Sequence, residues 1–267
     1  MKEECMKKIV FLDLDGTFWE FEKVPESALK AIKSAKENGH KVFVNTGRTK
    51  CEVPDSLWEL NLDGYCFSAG SEIYLQKERI FYQPLGIQIA KKIQNVMEKY
   101  HCAYSMEGSN VTFINELNRI RMAEFSKENR IGNQFISFPD VSLMKEEDYK
   151  QIMKISIHLE KEEDKEKILK ELPEEVLYTE FRKFGGEITL KQYNKATAIQ
   201  FLETYFHNEY QSMAIGDSEN DIPMLKYAQI SIAMGNGSDC VKEICDYVTD
   251  DINKDGLYKA FYHYHLI

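Results

Sequence analysis

The chain has 267 residues, with 43% hydrophobic and 29% charged residues and a formal net charge of −10. That balance excludes collagen-like, low-complexity and disordered chains, and the length allows one large domain or two smaller ones of about 150 residues. The acidic charge argues against broad nucleic-acid affinity, which needs a basic face, and no stretch approaches the ~18 consecutive apolar residues of a membrane span.

Met1 to Lys8 carries acids and runs into Ile9-Val-Phe-Leu12. This apolar stretch is too short for a signal-peptide core and has the length and composition of a buried parallel strand, over 8–12. Residues 25–38 predict a helix: Pro25 suits its first turn, Ala28, Leu29, Ile32 and Ala35 share a face, and Gly39 closes it. A strand over 41–44, a helix around 56–60 and a strand over 65–68 continue a β-α-β-α-β alternation, the pattern of an α/β fold with a doubly wound, mostly parallel Rossmann-like sheet. The middle of the chain differs, with a helix over 87–100, strands near 112–115 and 153–159, a charged helix over 163–172, and strands around 177–181 and 187–190. Pro84-Leu-Gly86 and the Gly185-Gly186 pair punctuate the places where the chain leaves and re-enters the first domain. The alternation then returns. A helix over 194–207 places Ala198, Ile199, Leu202 and Phe206 on one face. After it come a strand over 212–215, a helix over 221–227, a strand over 230–233, a short strand at Tyr247-Val248 and a helix through 257–262. The expectation is a core of residues 1–82 and 192–267 interrupted by an inserted α+β domain of residues 83–191.

In open α/β sheets ligands bind beyond the carboxyl ends of the strands, and four polar clusters fall there or at the helix starts beside them. The first is Asp13-Leu-Asp15-Gly-Thr17. Two carboxylates two residues apart on extended chain point to the same side, about 6.6 Å apart along the strand. One could attack a substrate and the other serve its leaving group; an ordinary Asp-Gly turn accounts for the same residues. The second is Asn45-Thr46-Gly47-Arg48, where a hydroxyl and backbone N–H groups could cradle an anion or Thr46 could simply cap a helix. The third, Gly216-Asp217-Ser-Glu-Asn220-Asp221, suits a helix cap but holds more acid than a cap needs. Carboxylates so close are costly without a cation, and Mg²⁺, which takes one or two carboxylates plus substrate phosphate, fits. The fourth is Lys195, which opens the helix returning the chain to the first domain.

Competing motifs are weaker. The Asp13 loop has Gly in fourth place and Val24 in twelfth, so it is not an EF-hand. No P-loop occurs, and Gly235-Asn-Gly237 lacks the third glycine of a dinucleotide fingerprint. The six cysteines, at positions 5, 51, 66, 102, 240 and 245, show no metal spacing and read as thiols of a reducing, cytoplasmic setting. His263 and His265 read as a packing tail, and Phe261–Tyr264 supplies aromatic core candidates.

In this order the four clusters resemble the signature of the haloacid dehalogenase-like phosphatases, in their Cof-type branch: Asp-x-Asp-Gly-Thr at 13–17, Thr-Gly-Arg at 46–48, Lys195, and Gly-Asp-Ser-x-Asn-Asp at 216–221. The tail Ala233-Met-Gly-Asn-Gly237, then Val248-Thr-Asp-Asp and Asp255-Gly-Leu257, is similar to that branch as well. The resemblance implies that the insertion is a substrate-selecting cap placed after the third core strand. It implies that Asp13 attacks phosphorus to form an aspartyl-phosphate and that Asp15 is the acid and then the base. Mg²⁺ would lie on the Asp13 carboxylate, the Asp15 carbonyl and Asp217. Thr46, the Gly47 N–H, Lys195 and Asn220 would hold the phosphoryl oxygens, with Asp221 and Arg48 in support. The implied partner is a small phosphorylated metabolite, with no nucleic acid or membrane, on a monomer or weak homodimer. A phosphotransferase or mutase using the same intermediate, and a non-catalytic phospho-metabolite sensor, are the alternatives.

The sequence departs from the family at Ser68-Ala-Gly-Ser71, where Asn-Gly is frequent, and at Ala196, where Gly is common. Phe18 and Trp19 make the entry unusually aromatic, suited to lining the cap–core seam or stacking on a ring. Arg119, Arg121, His158, Arg182 and Lys183 are polar candidates in the cap.

Overall fold

In the computed structural model, described for residues 6–129, 137–159, 161–182 and 184–267, the chain divides into two compact units. The first takes in the chain up to Arg48, Pro54–Tyr82 and Tyr193–Ile267; the second takes in Thr49–Val53 and Gln83–Gln192.

The first unit opens with β1 (Lys8–Leu12), buried at all five positions, as a strand covered on both faces must be. α1 (Glu26–Glu37) buries Ala28, Ala31, Ile32 and Ala35. Those four positions follow an i, i+3, i+4, i+7 stripe, which leaves Leu29, expected on the buried face, exposed. β2 (Lys41–Asn45) pairs parallel with β1, and β3 (Gly64–Phe67) with β2. The helix expected between them is a 3-10 helix over Asp55–Leu60, ended by Asn61 in left-handed backbone. Two strands follow that the sequence did not announce, β4 (Glu72–Leu75) and β5 (Glu78–Tyr82), antiparallel to their neighbours. Glu72, Glu78 and Arg79 disguise them as polar chain.

The second unit contains α2 (Ile87–Lys99), β6 (Ala103–Gly108), β7 (Thr112–Ile114), α3 (Glu116–Asn129), α4 (Glu146–Tyr149), β8 (Ile152–His158), α5 (Glu162–Glu171), β9 (Val176–Arg182) and β10 (Gly185–Leu190). Its sheet has the order β7-β6-β8-β10-β9 and is antiparallel. Neither β6, which buries a Ser and a Glu, nor α3, polar around most of its surface, was predicted. Gly185 and Gly186 do not mark a domain border. They begin β10, and a Cβ on Gly186 would lie 2.4 Å from the Tyr178 ring, so glycine there permits close strand packing. Within this unit Lys154 lies 3.8, 3.1 and 3.2 Å from carboxylate oxygens of Glu52, Glu107 and Glu187. Glu52 also accepts the Thr49 N–H at 2.8 Å. Burial, with the Glu107 charge adding, pushes its carboxyl up to about 7.

The chain then completes the first unit through α6 (Lys195–Tyr205), β11 (Gln211–Gly216), α7 (Ile222–Tyr227), β12 (Ile230–Ala233), α8 (Asp239–Lys242), β13 (Tyr247–Val248) and α9 (Gly256–His263). The sheet runs β13-β12-β11-β1-β2-β3-β4-β5, parallel from β13 to β3. Ile9, Phe11 and Phe43 from the strands meet Ala198, Ile199 and Leu202 of α6 and Met224 and Leu225 of α7 in one buried cluster, while α1 and α9 pack on each other. Phe261 is buried, Tyr262 is exposed, and His263 stacks on Tyr247 with ring centroids 4.1 Å apart. Among the described residues no helix is long and apolar enough to cross a membrane.

Candidate active site

β1 ends at Leu12, and the next residue, Asp13, extends the ladder by donating its N–H to the Ile215 carbonyl of β11 at 3.0 Å. Its side chain is therefore fixed at the carboxyl edge of the central strand, where it is 4% exposed. Gly216 closes β11, so Asp217 leaves the same edge one strand away. The chain turns there through a 3-10 turn over Glu219–Asp221 before α7, and Pro223 sits in that helix's first turn, where its missing N–H is not needed. On the other side of β1, Thr46 follows β2 and donates its N–H to Cys66 at 2.9 Å. The parallel order β11-β1-β2 thus brings three distant segments to one edge.

Lys195 is the first residue of α6, whose start is capped by Asn194, which accepts the Ala196 N–H at 2.9 Å. The ammonium, 1% exposed, ion-pairs with Asp13 and, at 2.5 Å, with Asp221. Asp221 is committed elsewhere too: its second oxygen accepts the N–H groups of Asp217 and Ser218, each at 3.0 Å. Asp13, Asp217 and Asp221 each offer a carboxylate oxygen within 4.8 Å of the others. Burial, the Asp221 charge and the Asp217 charge push Asp13 up to about 8 against the pull of Lys195. Burial, with Asp221 adding, raises Asp217 to about 6. Lys195 is driven above its ordinary range because the attraction of Asp13 and Asp221 outweighs its burial.

Three carboxylates around one ammonium leave an excess of negative charge in a dry site. Hard oxygen donors with surplus charge are what a divalent cation such as Mg²⁺ accepts, so the residues fit a metal. The oxygens of Asp221 being spoken for, Asp13 and Asp217 are the two with capacity to hold it.

Asp15 lies two residues beyond Asp13 in different surroundings. Its side chain is half-exposed; Arg48 Nε donates to Oδ2 and Arg48 Nη2 to Oδ1, both at 2.7 Å, and Trp19 Nε1 donates to Oδ1 at 2.9 Å. Phe18 and Trp19 are 0% and 2% exposed, so they neither line an open surface nor offer a face for stacking. The polar edge of Trp19 is spent on Asp15. Thr46 Oγ1 accepts the Arg48 N–H at 3.1 Å. Gly47 faces Asn220, whose amide nitrogen would stand 3.9 Å from a Cβ at that position. Asn220 Oδ1 takes the Ser218 hydroxyl at 2.7 Å, leaving the amide end toward Gly47.

Several supporting residues were not singled out from the sequence. Thr17 donates to Asp217 Oδ1 at 2.7 Å, and Asn45 Nδ2 donates to the Lys195 carbonyl at 2.8 Å. Gly16 has φ +85°, and a Cβ there would lie 2.6 Å from Asp217 Oδ2, so only glycine lets Asp217 approach. The Gly235–Ser238 loop braces Asp217 through the Ser238 N–H on its carbonyl at 2.8 Å. Thr17 and Asn45 lay inside motifs already quoted, but their partners are about 150 to 200 residues away in sequence. Arg119 is engaged by Glu116 at 3.4 Å and Arg121 by Asn118 at 3.2 Å. His158 ends β8, and Lys183 and the side chain of Arg182 lie outside the described residues.

A family model described as haloacid dehalogenase-like hydrolase matches residues 10–261. The 5-amino-6-(5-phospho-D-ribitylamino)uracil phosphatase YcsE of Bacillus subtilis is 28% identical over 98% of this chain and 98% of its own. A second Bacillus subtilis phosphatase of the same name, YitU, is 26% identical over 95% and 96%. Among solved structures, the phosphatase BT1666 from Bacteroides thetaiotaomicron superposes with a TM-score of 0.84 at 28% identity, covering 100% of this chain and 98% of that one. The subclass IIB sugar phosphatase BT4131 gives 0.79 at 26% identity, covering 98% and 100%. The chain belongs to the haloacid dehalogenase-like hydrolase family, among its phosphatases.

Proposed function

We propose that this enzyme hydrolyses a small phosphorylated metabolite through an aspartyl-phosphate on Asp13, with Mg²⁺ as its metal. The observation that carries the reading is the contrast between two carboxylates two residues apart: Asp13 buried beside Lys195, Asp15 half-exposed and held by Arg48 and Trp19. Acids in such different environments can divide the work of nucleophile and acid–base. The Asp13 and Asp217 carboxylates and the Asp15 carbonyl would hold the Mg²⁺, which when bound shields the anionic nucleophile from the anionic ester.

The chain's own groups do the rest. Lys195 holds Asp13 in place and favours its ionised form, and together with Thr46, the Gly47 N–H and Asn220 it takes the phosphoryl oxygens. Positioning and charge stabilisation of this kind supply most of the rate in phosphoryl transfer. Asp13 attacks phosphorus while Asp15 gives its proton to the leaving oxygen. Asp15 then takes a proton from water as the water oxygen displaces Asp13. We assign the choice of substrate to the second unit, and a cytoplasmic setting to the enzyme, in keeping with the described cysteines, all free.

The test is phosphate release from sugar, nucleotide and cofactor phosphates, with Mg²⁺ and with chelator. 5-Amino-6-(5-phospho-D-ribitylamino)uracil comes first, because two relatives are named for it. Asp13→Asn should abolish turnover with the fold intact, and acid-quenched wild-type enzyme should carry a phosphoryl group on the Asp13 peptide. Wild-type activity in Asp13→Asn would remove the nucleophile assignment, activity indifferent to chelator would remove the metal, and phosphate appearing on an added acceptor would make the enzyme a phosphotransferase.

A further inference from the structure

We propose that Trp19 is a positioning residue for Asp15, acting with Arg48 so that Asp15 Oδ2 is the oxygen that exchanges the proton. The inference rests on the acid–base reading of Asp15 given above. A buried indole needs a partner for its N–H, and Trp19, 2% exposed, finds it in the Asp15 carboxylate four residues back, at 2.9 Å. The indole has a rigid frame: the Trp19 N–H donates to the Leu14 carbonyl at 2.9 Å, and the Trp19 carbonyl accepts the Gly16 N–H at 2.9 Å. The same ring lies against the Arg48 guanidinium, 5.8 Å from its centroid.

The donors are unevenly shared. Oδ1 receives two N–H groups, from Trp19 and Arg48 Nη2, whereas Oδ2 receives one, from Arg48 Nε. A carboxylate oxygen has about two lone-pair sites. Oδ1 has spent both, so the proton belongs on Oδ2. In the first half-reaction the Asp13–phosphorus bond forms as the phosphorus–oxygen ester bond breaks, and the proton on Oδ2 passes to the departing oxygen. In the second, water loses a proton to Oδ2 as its oxygen bonds to phosphorus and the Asp13–phosphorus bond breaks, which restores both carboxyl groups. Transfer requires heavy atoms within about 2.6–3.2 Å. A half-exposed aspartate held only by a flexible arginine would sample other rotamers, whereas the indole fixes which oxygen faces the leaving group.

Leaving-group dependence separates this role from simple packing. Proton donation matters for an alcohol leaving group and scarcely for p-nitrophenolate. Trp19→Phe keeps the buried ring and removes the N–H. For the sugar phosphate that wild-type enzyme hydrolyses best, the variant should lose about tenfold in kcat, one decade per ~1.4 kcal/mol of barrier, with KM unchanged. For p-nitrophenyl phosphate the loss should stay within about twofold. If Trp19→Phe does not fold, benzothienylalanine at position 19, isosteric with sulfur replacing N–H, gives the same comparison. Equal losses on both esters, or no loss on either, would overturn the proposal. Asp15→Asn is the control: if it too shows no leaving-group dependence, the acid–base reading of Asp15 has failed. If Asp15→Asn shows it and the Trp19 replacement does not, only the role of Trp19 has failed.

Discussion

A carboxylate stripped of water and crowded by two others should be protonated and a poor nucleophile. Burial and its acidic neighbours push Asp13 in that direction, and the ammonium of Lys195, inserted between Asp13 and Asp221, is the counterweight this chain itself provides. The pair is worth little as a source of net stability, since desolvation offsets most of the attraction, but removing one partner strands the others. Lys195→Met leaves two carboxylates facing each other in a site with almost no exposure. It should therefore cost about 3 kcal/mol or more in urea unfolding and remove activity. A loss under 1 kcal/mol would mean that the carboxylates find water or protons more readily than their burial implies.

Elements carry these residues to one place, and their legibility in the sequence was uneven. Parallel strands buried on both faces are continuous apolar runs, so β1, β2 and β11 could be read directly, and with them the acids at their ends. β4, β5 and β6 could not, because edge strands and strands with buried hydrogen-bonded polar residues break that pattern. Thr17 and Asn45 sat in view, but their roles depend on partners that only the strand order brings near. His40 shows the same at the join of two elements: in the loop before β2, its Nδ1 accepts the Lys8 N–H at the start of β1, at 2.9 Å. Burial, with the Lys8 and Lys7 charges adding, holds its pKa down to about 4 from 6.5. The folded protein therefore binds this proton less readily than the unfolded chain. The stabilisation is complete above pH 6.5 and is lost as pH falls through the window to 4, by about 3 kcal/mol in all. His40→Asn retains an acceptor without titrating, so the stability advantage of wild type over variant should shrink by about that amount between pH 7 and pH 4. A difference that stays constant over that range would show that His40 titrates normally in the fold.

At the scale of the whole molecule, a net charge of −10 sits awkwardly with a phosphate dianion as substrate. The difficulty is met locally, since the Lys195 ammonium sits among the site's carboxylates whatever the distant surface carries. The excess charge of the site itself lies on Asp13, Asp217 and Asp221, all in the first unit, and the proposed cation should therefore stabilise that unit alone. A ligand at a hundred times its Kd that binds only the folded state adds about 2.7 kcal/mol. Hydrogen exchange read by mass spectrometry should show Mg²⁺ slowing the amides of β1 and β11 and leaving those of β6, β8 and β10 unchanged. Chelator should reverse the effect, and Asp217→Asn, which removes one of the two carboxylates with capacity for the metal, should abolish most of it. Protection that rises equally in both units, or that survives in Asp217→Asn, would place the cation somewhere other than the carboxyl edge of β1.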